Sequence, residues 1–285
     1  MSAQGDVLVE AHRRAQTQLS LVTAAAMLRL WPLLRADDVD GSTERWLSLV
    51  LLVVRTQWAQ SALLANSYLT AHRTIELGVG VPTLRLPPVP VMDERQVITS
   101  MMTLGPVRVR QEIAKVIAKA QISKVGDGGA PPLNPTIPSG LRIPLAKDQA
   151  IARAVAGSAV RHARNGGRDA IDNAIKNDQR VIGYVRVTDG SPCFFCAMIA
   201  SRGPVYQEDS FEDSYPRFHG PGDQKVHDSC GCDLKPLYRR DSADLAESNR
   251  YSDLWTQASK GRSGKDAVRQ FRQIYAGRDP QVSTS

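Results

Sequence analysis

The cysteines of this chain give its strongest chemical signal, because all four lie in two close pairs. The first pair is Cys193-Phe-Phe-Cys196, and the second belongs to the run His227-Asp-Ser-Cys230-Gly-Cys232. A C-x-x-C turn can direct two thiolates at one ion, and H-x-x-C-x-C supplies further donors. Zinc prefers four nitrogen or sulfur ligands in a tetrahedron. The sequence therefore predicts a structural zinc site.

Five candidate ligands compete for four positions around such an ion. We favour Cys193, Cys196, His227 and Cys232 as the ligands, with Cys230 as the substitute. Three alternatives remain: buried thiols that pack as small hydrophobic groups, two disulfides, and a redox-active C-x-x-C. Disulfides are rare in a reducing cytoplasm. A redox motif is disfavoured because the strand before it is not followed by a βαβ pattern.

Short elements flank both pairs and must bring them together. Residues 180–188 are rich in β-branched and aromatic side chains, which predicts a strand. A Gly-Ser-Pro turn follows, then a short helix over residues 193–201 and a second short strand at 205–206. Residues 234–238 come after the last cysteine and are expected to pair with the first strand. The sequence thus predicts a small α+β module.

The cysteine-rich stretch resembles part of a known phage protein family. The segments GYVRVTDGSPCFFCAMIASRGPVY and KVHDSCGCDLKPLY are similar to the C-terminal module of Mu F-like minor head proteins of tailed phages. The shared features are an Asp shortly before C-x-x-C, a helix of small residues and a closing H-x-x-C-x-C. The helical remainder matches in general layout, as in phages of actinobacteria, where the corresponding protein is often labelled a capsid maturation protease.

The resemblance implies a head morphogenesis protein, a minor capsid protein present in few copies. Its expected partners are the portal, scaffold and major capsid proteins, with packaged DNA as a further candidate. Its expected location is the host cytoplasm during assembly and then the interior of the prohead or virion. No membrane and no small-molecule substrate are expected.

Two other functions remain open: an active protease and a zinc-containing nucleic-acid-binding module. A protease nucleophile at Cys193 or Cys196 with His227 as base is conceivable, but the same residues suit metal ligation. Ser158 and His162 lie four residues apart and so share a helix face, without a positioned third group. There is no H-E-x-x-H. The sequence therefore assigns no catalytic residue.

Composition describes a globular and moderately basic chain. Of its 285 residues, 42% are hydrophobic and 23% are charged, as in globular proteins generally. A net charge of +7 and a pI near 9.4 favour an acidic partner such as DNA. The N-terminus lacks a signal-peptide pattern, and the longest apolar run, residues 46–54, falls short of the roughly 18 residues that span a bilayer.

The fold class predicted is mainly α, in three parts. Residues 1–178 form a helical domain, with a Pro-rich linker at 81–91 and a Gly/Pro-rich loop at 125–145. Residues 179–240 form the zinc-stabilised α+β module, and residues 241–285 form a basic helical tail.

Apolar periodicity and breakers place the individual helices. Helices are predicted over residues 5–31, 43–77, 93–104, 106–121, 149–163, 169–176, 242–259 and 264–276. Breaks are expected at Gly105-Pro106 and at Gly166-Gly167. The predicted apolar stripe of the first helix comprises Val7, Leu8, Ala11, Ala15, Leu19, Val22, Ala25 and Leu28. The helix after Pro106 carries a basic face of Arg108, Arg110, Lys115, Lys119 and Lys124, suited to solvent, DNA or an acidic partner.

Overall fold

A computed structural model of the chain describes most of its residues. The described residues are 3–78, 80, 82, 86, 88, 91–125, 140–188, 192–206, 231–240 and 246–278. Two predicted zinc ligands, His227 and Cys230, lie outside these ranges. So do most of the predicted linker 81–91 and residues 126–139 of the predicted loop.

Helices dominate the fold, which confirms the mainly α prediction. They are α1 (Ala3–Leu30), α2 (Val39–Leu77), α3 (Glu94–Met102), α4 (Arg108–Val125), α5 (Leu145–Asn177), α6 (Phe194–Ala200), α7 (Ala246–Ser259) and α8 (Gly264–Arg278). A 3-10 turn, Trp31–Leu33, follows α1, where Pro32 lacks the N–H that an α-helix would need.

Three short strands form one antiparallel sheet. They are β1 (Gly183–Val187), β2 (Val205–Tyr206) and β3 (Asp233–Leu237), and β1 lies in the centre. The register pairs Gly183 with Leu237 and Val187 with Asp233. The predicted pairing of the strand after the last cysteine with the first strand is therefore confirmed.

The chain divides into two compact units. The first unit contains Met1–Gln18, Gln60–Pro90 and Asn165–Ser285, and the second contains Leu19–Ala59 and Val91–Arg164. Helices α1, α2 and α5 each contribute residues to both units. The division at residues 178 and 240 that the sequence suggests stays a prediction.

The second unit has its own apolar core around two tryptophans. Trp46 is fully buried, and its ring meets Trp31 edge-on at a centroid distance of 6.3 Å. Val50, Val54 and Met101 pack in the same cluster. The indole Nε1–H of Trp31 donates to Asp148 Oδ1 over 3.0 Å, so this buried polar group is satisfied.

The predicted helix break at Gly105-Pro106 is wrong. A π-helical segment, Thr103–Val107, joins α3 to α4 without interruption. Proline lacks an N–H and collides with the carbonyl four residues earlier in an α-helix, and a wider π turn relieves both problems. A Cβ on Gly105 would lie 2.8 Å from the Trp46 ring, so glycine permits close packing here.

The predicted break at Gly166-Gly167 is also wrong, because α5 continues through both glycines. In the first unit, the Gly167 amide donates to Ser61 Oγ over 3.0 Å. A Cβ on Gly167 would lie 2.7 Å from that oxygen and 2.8 Å from Gln16 Nε2. Glycine at this position permits close approach, which a sequence pattern cannot distinguish from a helix stop.

Of the predicted apolar stripe of α1, only Leu19 is fully buried. Val7 is 67% exposed and Leu28 is 46% exposed. The buried positions are Gly5, His12, Gln16, Leu19, Thr23 and Met27. Hydrogen bonds satisfy the buried polar side chains. The amide of Gln16 donates to the Ser61 carbonyl over 3.1 Å, and the Thr23 hydroxyl donates to the Leu19 carbonyl over 2.7 Å.

Helix α2 is long and apolar enough to cross a bilayer by length and composition alone. An 18-residue window within it has a mean hydropathy of 1.4, and 22% of that window is buried. Core helices of non-membrane proteins meet the same two criteria. Trp46, Val50 and Val54 of this helix are buried in the second unit. The expectation of no membrane partner stays a prediction.

Candidate metal centre

The sheet and the helix after it bring three of the four cysteines together. Cys232 immediately precedes Asp233, which pairs with Val187 at the end of β1. The chain then reaches Cys193 after a short connection. Cys193, Cys196 and Cys232 pack against one another in one cluster, with Cys196 and Cys232 buried and Cys193 half-buried. The predicted convergence of these three residues is therefore present in the fold.

Cys193 also begins the helix that carries Cys196. Its backbone is extended, and its Sγ accepts a hydrogen bond from the Cys196 amide over 3.5 Å. The thiol thus takes the N-cap role that a short polar side chain usually fills. Because α6 starts here, Cys196 lies one turn further on and faces the same cluster.

Arg168 supports the cluster from α5, and sequence reasoning missed it. This buried guanidinium donates through Nε to the Cys232 carbonyl over 3.1 Å and through Nη1 to Asn165 Oδ1 over 3.1 Å. Its Nε also lies 3.9 Å from Asp233 Oδ1. A buried arginine needs such partners. In the sequence this residue is one basic side chain among thirty-six, with no spacing to mark it.

Helices α7 and α8 pack on the cysteine helix. Tyr251, Leu254 and Phe271 are buried in one cluster with Ala197 and Ala200 of α6. The buried apolar residues of these two helices therefore pack against α6 within the first unit.

The described part of the chain supplies three thiols of the predicted ligand set. Within the ranges that the structure describes, no group of three or more His, Cys, Asp or Glu residues has an arrangement able to hold a metal ion. His227 and Cys230 belong to the segment outside those ranges, so the complete five-residue set is not in view. The described thiols of Cys193, Cys196 and Cys232 thus cluster without the arrangement of a metal site. Sulfur is a donor that zinc accepts, and zinc ligation stays a proposal.

A second polar cluster in the first unit lies behind β3. The Arg73 guanidinium and the Asp178 carboxylate form a buried ion pair at 2.8 Å. Tyr238 is buried nearby, and burial raises the pKa of its phenol well above the usual range, with the Asp178 charge adding to the shift. His72 Nε2 lies 3.2 Å from the Pro236 carbonyl. Since that oxygen can only accept, this nitrogen carries a proton.

Two histidines lie on α1 and α2 in the first unit. Both His12 and His72 are buried. The His12 ring stacks on Tyr68 at 4.6 Å, and Tyr68 stacks on His72 at 5.3 Å. These stacked rings join α1 to α2 in the first unit, which is a packing role.

In the second unit, the Ser158–His162 pair is buried and engaged by an arginine. Ser158 is 0% exposed and His162 is 3% exposed. Arg161 Nη2 donates to Ser158 Oγ over 3.4 Å and lies 3.3 Å from His162 Nε2. Because a guanidinium only donates hydrogen bonds, Arg161 occupies the lone pair of His162 Nε2 that a general base would need. This geometry does not favour a nucleophile and base.

Comparison with known proteins adds one family. The model of the VG15 protein family matches residues 140–258, less than half of the chain. The match includes α5, the sheet, all four cysteines and most of α7. No curated protein and no solved structure matches the chain. Over this stretch the chain is similar to a family of viral gene proteins, which supports a phage protein.

Proposed function

We propose that this chain is a Mu F-like minor head protein that acts in phage head morphogenesis. The observation that carries the proposal is the convergence of Cys193, Cys196 and Cys232 from the two ends of the resembling stretch. The VG15 match over residues 140–258 supports a viral origin for that same stretch. The proposed setting is the portal region of the prohead, with portal, scaffold and major capsid proteins as partners.

In this proposal zinc is structural and cross-links the cysteine module. The proposed ligands are Cys193, Cys196, His227 and Cys232, with Cys230 as the substitute. A metal held by both ends of residues 193–232 would close the intervening segment into a loop. Binding energy from such a site contributes directly to folding. Metal ligation, and not catalysis, then explains why the chain gathers its cysteines.

Mass spectrometry of purified proheads and mature particles tests the proposed function. The chain should be present in both, at a copy number far below that of the major capsid protein. Particles from a phage with this gene deleted are the control, and they should show defective head assembly. Absence of the chain from both kinds of particle, together with normal heads after deletion, would refute the proposal.

An active capsid maturation protease is the second candidate. The observation in its favour is the exposure of the thiols: Cys193 is half-buried, whereas Cys196 and Cys232 are buried. Of the three thiols that the structure describes, Cys193 is therefore the one that a scaffold or capsid peptide reaches most easily. A catalytic thiolate has a lowered pKa and reacts quickly with alkylating reagents. A zinc-bound thiolate should resist the same reagents until a chelator removes the metal.

A further inference from the structure

Residues 260–278 form one of the basic segments of the chain. Residues 260–278 contain six basic side chains and one acidic side chain, a net charge of +5 in a chain whose total is +7. The basic residues are Lys260, Arg262, Lys265, Arg269, Arg272 and Arg278. Helix α8 and the turn that precedes it therefore form a strongly basic segment.

Three of these residues form a stripe along α8. Lys265, Arg269 and Arg272 follow at steps of four and three residues, which places them on one helix face. All three are exposed, whereas Ala267 and Phe271 on another face are buried. The acidic residue, Asp266, lies about 100° around the helix from Lys265. Its carboxylate accepts a hydrogen bond from Arg269 over 2.7 Å, and both side chains are exposed. We call these three side chains the α8 stripe.

The stripe is held on a packed support. Phe271 and Tyr275 anchor α8 in the cluster shared with α6 and α7. The Arg272 guanidinium lies over the Phe194 ring, 5.0 Å from its centroid. A cation above an aromatic face is held in place by the ring quadrupole. The stripe is thus presented by a helix whose apolar face is already covered.

We propose that the α8 stripe binds the phosphate backbone of duplex DNA without reading sequence. Lys265 and Arg272 are seven residues apart, so the stripe is about 10 Å long at 1.5 Å per residue. Each DNA strand carries one phosphate per about 3.4 Å of helix axis. The stripe therefore covers about three phosphates of one strand. Lys260 and Arg262, exposed in the turn before α8, extend the positive surface.

An acidic protein is the competing partner, and the surface favours DNA. Protein interfaces depend on buried aromatic and apolar anchors. In the described residues of 246–278, no large apolar side chain is exposed. Phosphate contacts, in contrast, need only cations that reach the backbone.

The basic face of α4 is the internal alternative to the α8 stripe. Arg108, Lys115 and Lys119 are all exposed there and share one helix face. Glu112 lies on the same face and accepts a hydrogen bond from Lys115 over 2.6 Å. Each helix thus has one carboxylate paired with one cation. Glu112 lies among the cations of α4, at steps of four and three residues from Arg108 and Lys115, whereas Asp266 lies to one side of the α8 stripe. A carboxylate among the cations repels phosphate, so we expect α4 to contribute less. This makes α4 a matched control of equal charge.

Fluorescence anisotropy with a short mixed-sequence DNA duplex, over a series of salt concentrations, tests the inference. The full-length protein should bind with an affinity that falls as salt rises. The variant K265Q/R269Q/R272Q should bind at least about tenfold more weakly, and its log–log salt slope should fall by about 2.7, at 0.9 per phosphate contact. The control R108Q/K115Q/K119Q removes the same charge and should bind within about threefold of the unaltered protein.

Further measurements distinguish the loss of DNA contacts from misfolding and from binding to an acidic protein. The double variant K265Q/R269Q leaves the Arg272–Phe194 contact intact and should still lower the slope by about 1.8. Equal losses in the α4 and α8 variants would overturn the inference, because net charge alone would then explain binding. Binding of poly-glutamate as tight as that of DNA would also overturn it in favour of an acidic protein.

The inference rests on α8 and not on the head-assembly proposal, although packaged DNA would be the natural ligand in that setting. DNA binding can fail while the chain is still found in proheads. Conversely, a chain that is absent from particles can still bind DNA through this stripe. The two experiments therefore fail independently.

Discussion

The hydroxyl of Tyr275 donates a hydrogen bond to the carbonyl oxygen of Pro192 over 2.5 Å. The bond connects α8 to the residue immediately before Cys193, across eighty-three positions of sequence. Tyr275 is buried, so the carbonyl has little access to water as a replacement partner. The C-terminal helix therefore helps to fix the backbone where the cysteine helix begins.

Replacing Tyr275 with Phe tests this connection. The substitution keeps the ring and leaves a buried carbonyl without that donor, so we expect a loss of about 1–3 kcal/mol in the free energy of unfolding. Urea denaturation followed by circular dichroism measures it. Gln273→Ala, on the exposed side of the same helix, is the control and should stay within about 0.5 kcal/mol. Equal stability of the two variants would mean that the bond contributes nothing.

Gly167 and Gly277 form a matched pair of helical glycines. A methyl group at position 167 would lie 2.7 Å from Ser61 Oγ, whereas a methyl group at position 277 meets nothing within 4 Å. Gly167→Ala should therefore destabilise the protein by about 1–3 kcal/mol through overpacking. Gly277→Ala should be neutral or stabilise by up to about 1 kcal/mol through helix propensity. Thermal unfolding of both variants measures the contrast, and a stabilising Gly167→Ala would contradict the close packing of α5.

Tyr238 should make the protein sensitive to alkali. Burial raises the pKa of this phenol above its unfolded value near 10, and the charge of Asp178 raises it further. The neutral phenol is therefore favoured in the folded state. Its contribution to stability is complete below about pH 10 and is lost as the pH rises through the folded pKa.

The variant Tyr238→Phe isolates that effect, because it cannot ionise. The free energy of unfolding of the unaltered protein should fall more steeply between pH 9.5 and 11 than that of the variant, by up to about 1.4 kcal/mol per pH unit. Urea unfolding at several pH values gives both slopes. Parallel pH profiles would show that Tyr238 does not ionise differently in the two states.

Besides Cys193 and Cys196, Ser158 is the other residue that the sequence offers as a protease nucleophile. This residue is fully buried, and its hydroxyl and the His162 ring are both engaged by Arg161. We expect any scaffold or capsid cleavage seen during assembly to survive Ser158→Ala, as measured by mass spectrometry of prohead proteins. Ser48→Ala, at an exposed serine of α2, is the control. A folded Ser158→Ala protein that assembles heads with uncut scaffold would make the chain a protease.

Local sequence patterns predicted where helices and strands form better than they predicted which face of each helix is buried. The strand before Cys193, the helix beginning at Cys193 and the two tail helices all appear in the fold. The buried face of α1 was missed because its polar members, such as Gln16, bond to residues distant in sequence. Hydrophobic periodicity carries no information about such partners.

The helix breaks predicted at glycine and proline were wrong because a local pattern does not show the tertiary surroundings of these residues. Gly167 lies inside a continuous helix, where the lack of a side chain permits close approach of Gln16 and Ser61. Pro106 continues one because a π turn accommodates its ring. At the site, the sequence spacing predicted that Cys193, Cys196 and Cys232 converge. The supporting roles of Arg168 and Tyr275 are visible only in their tertiary hydrogen bonds to the carbonyls of Cys232 and Pro192.

Metal content is the most direct test of the claim that the cysteine module is a zinc site. Protein purified under reducing conditions should contain about one zinc per chain. Cys193→Ser, Cys196→Ser and Cys232→Ser should each lose it, whereas Cys230→Ser should retain it. The thiols of Cys193, Cys196 and Cys232 should resist alkylation until a chelator is added. A reduced, folded protein without zinc, in which Cys193 is the fastest thiol to alkylate, would contradict the account.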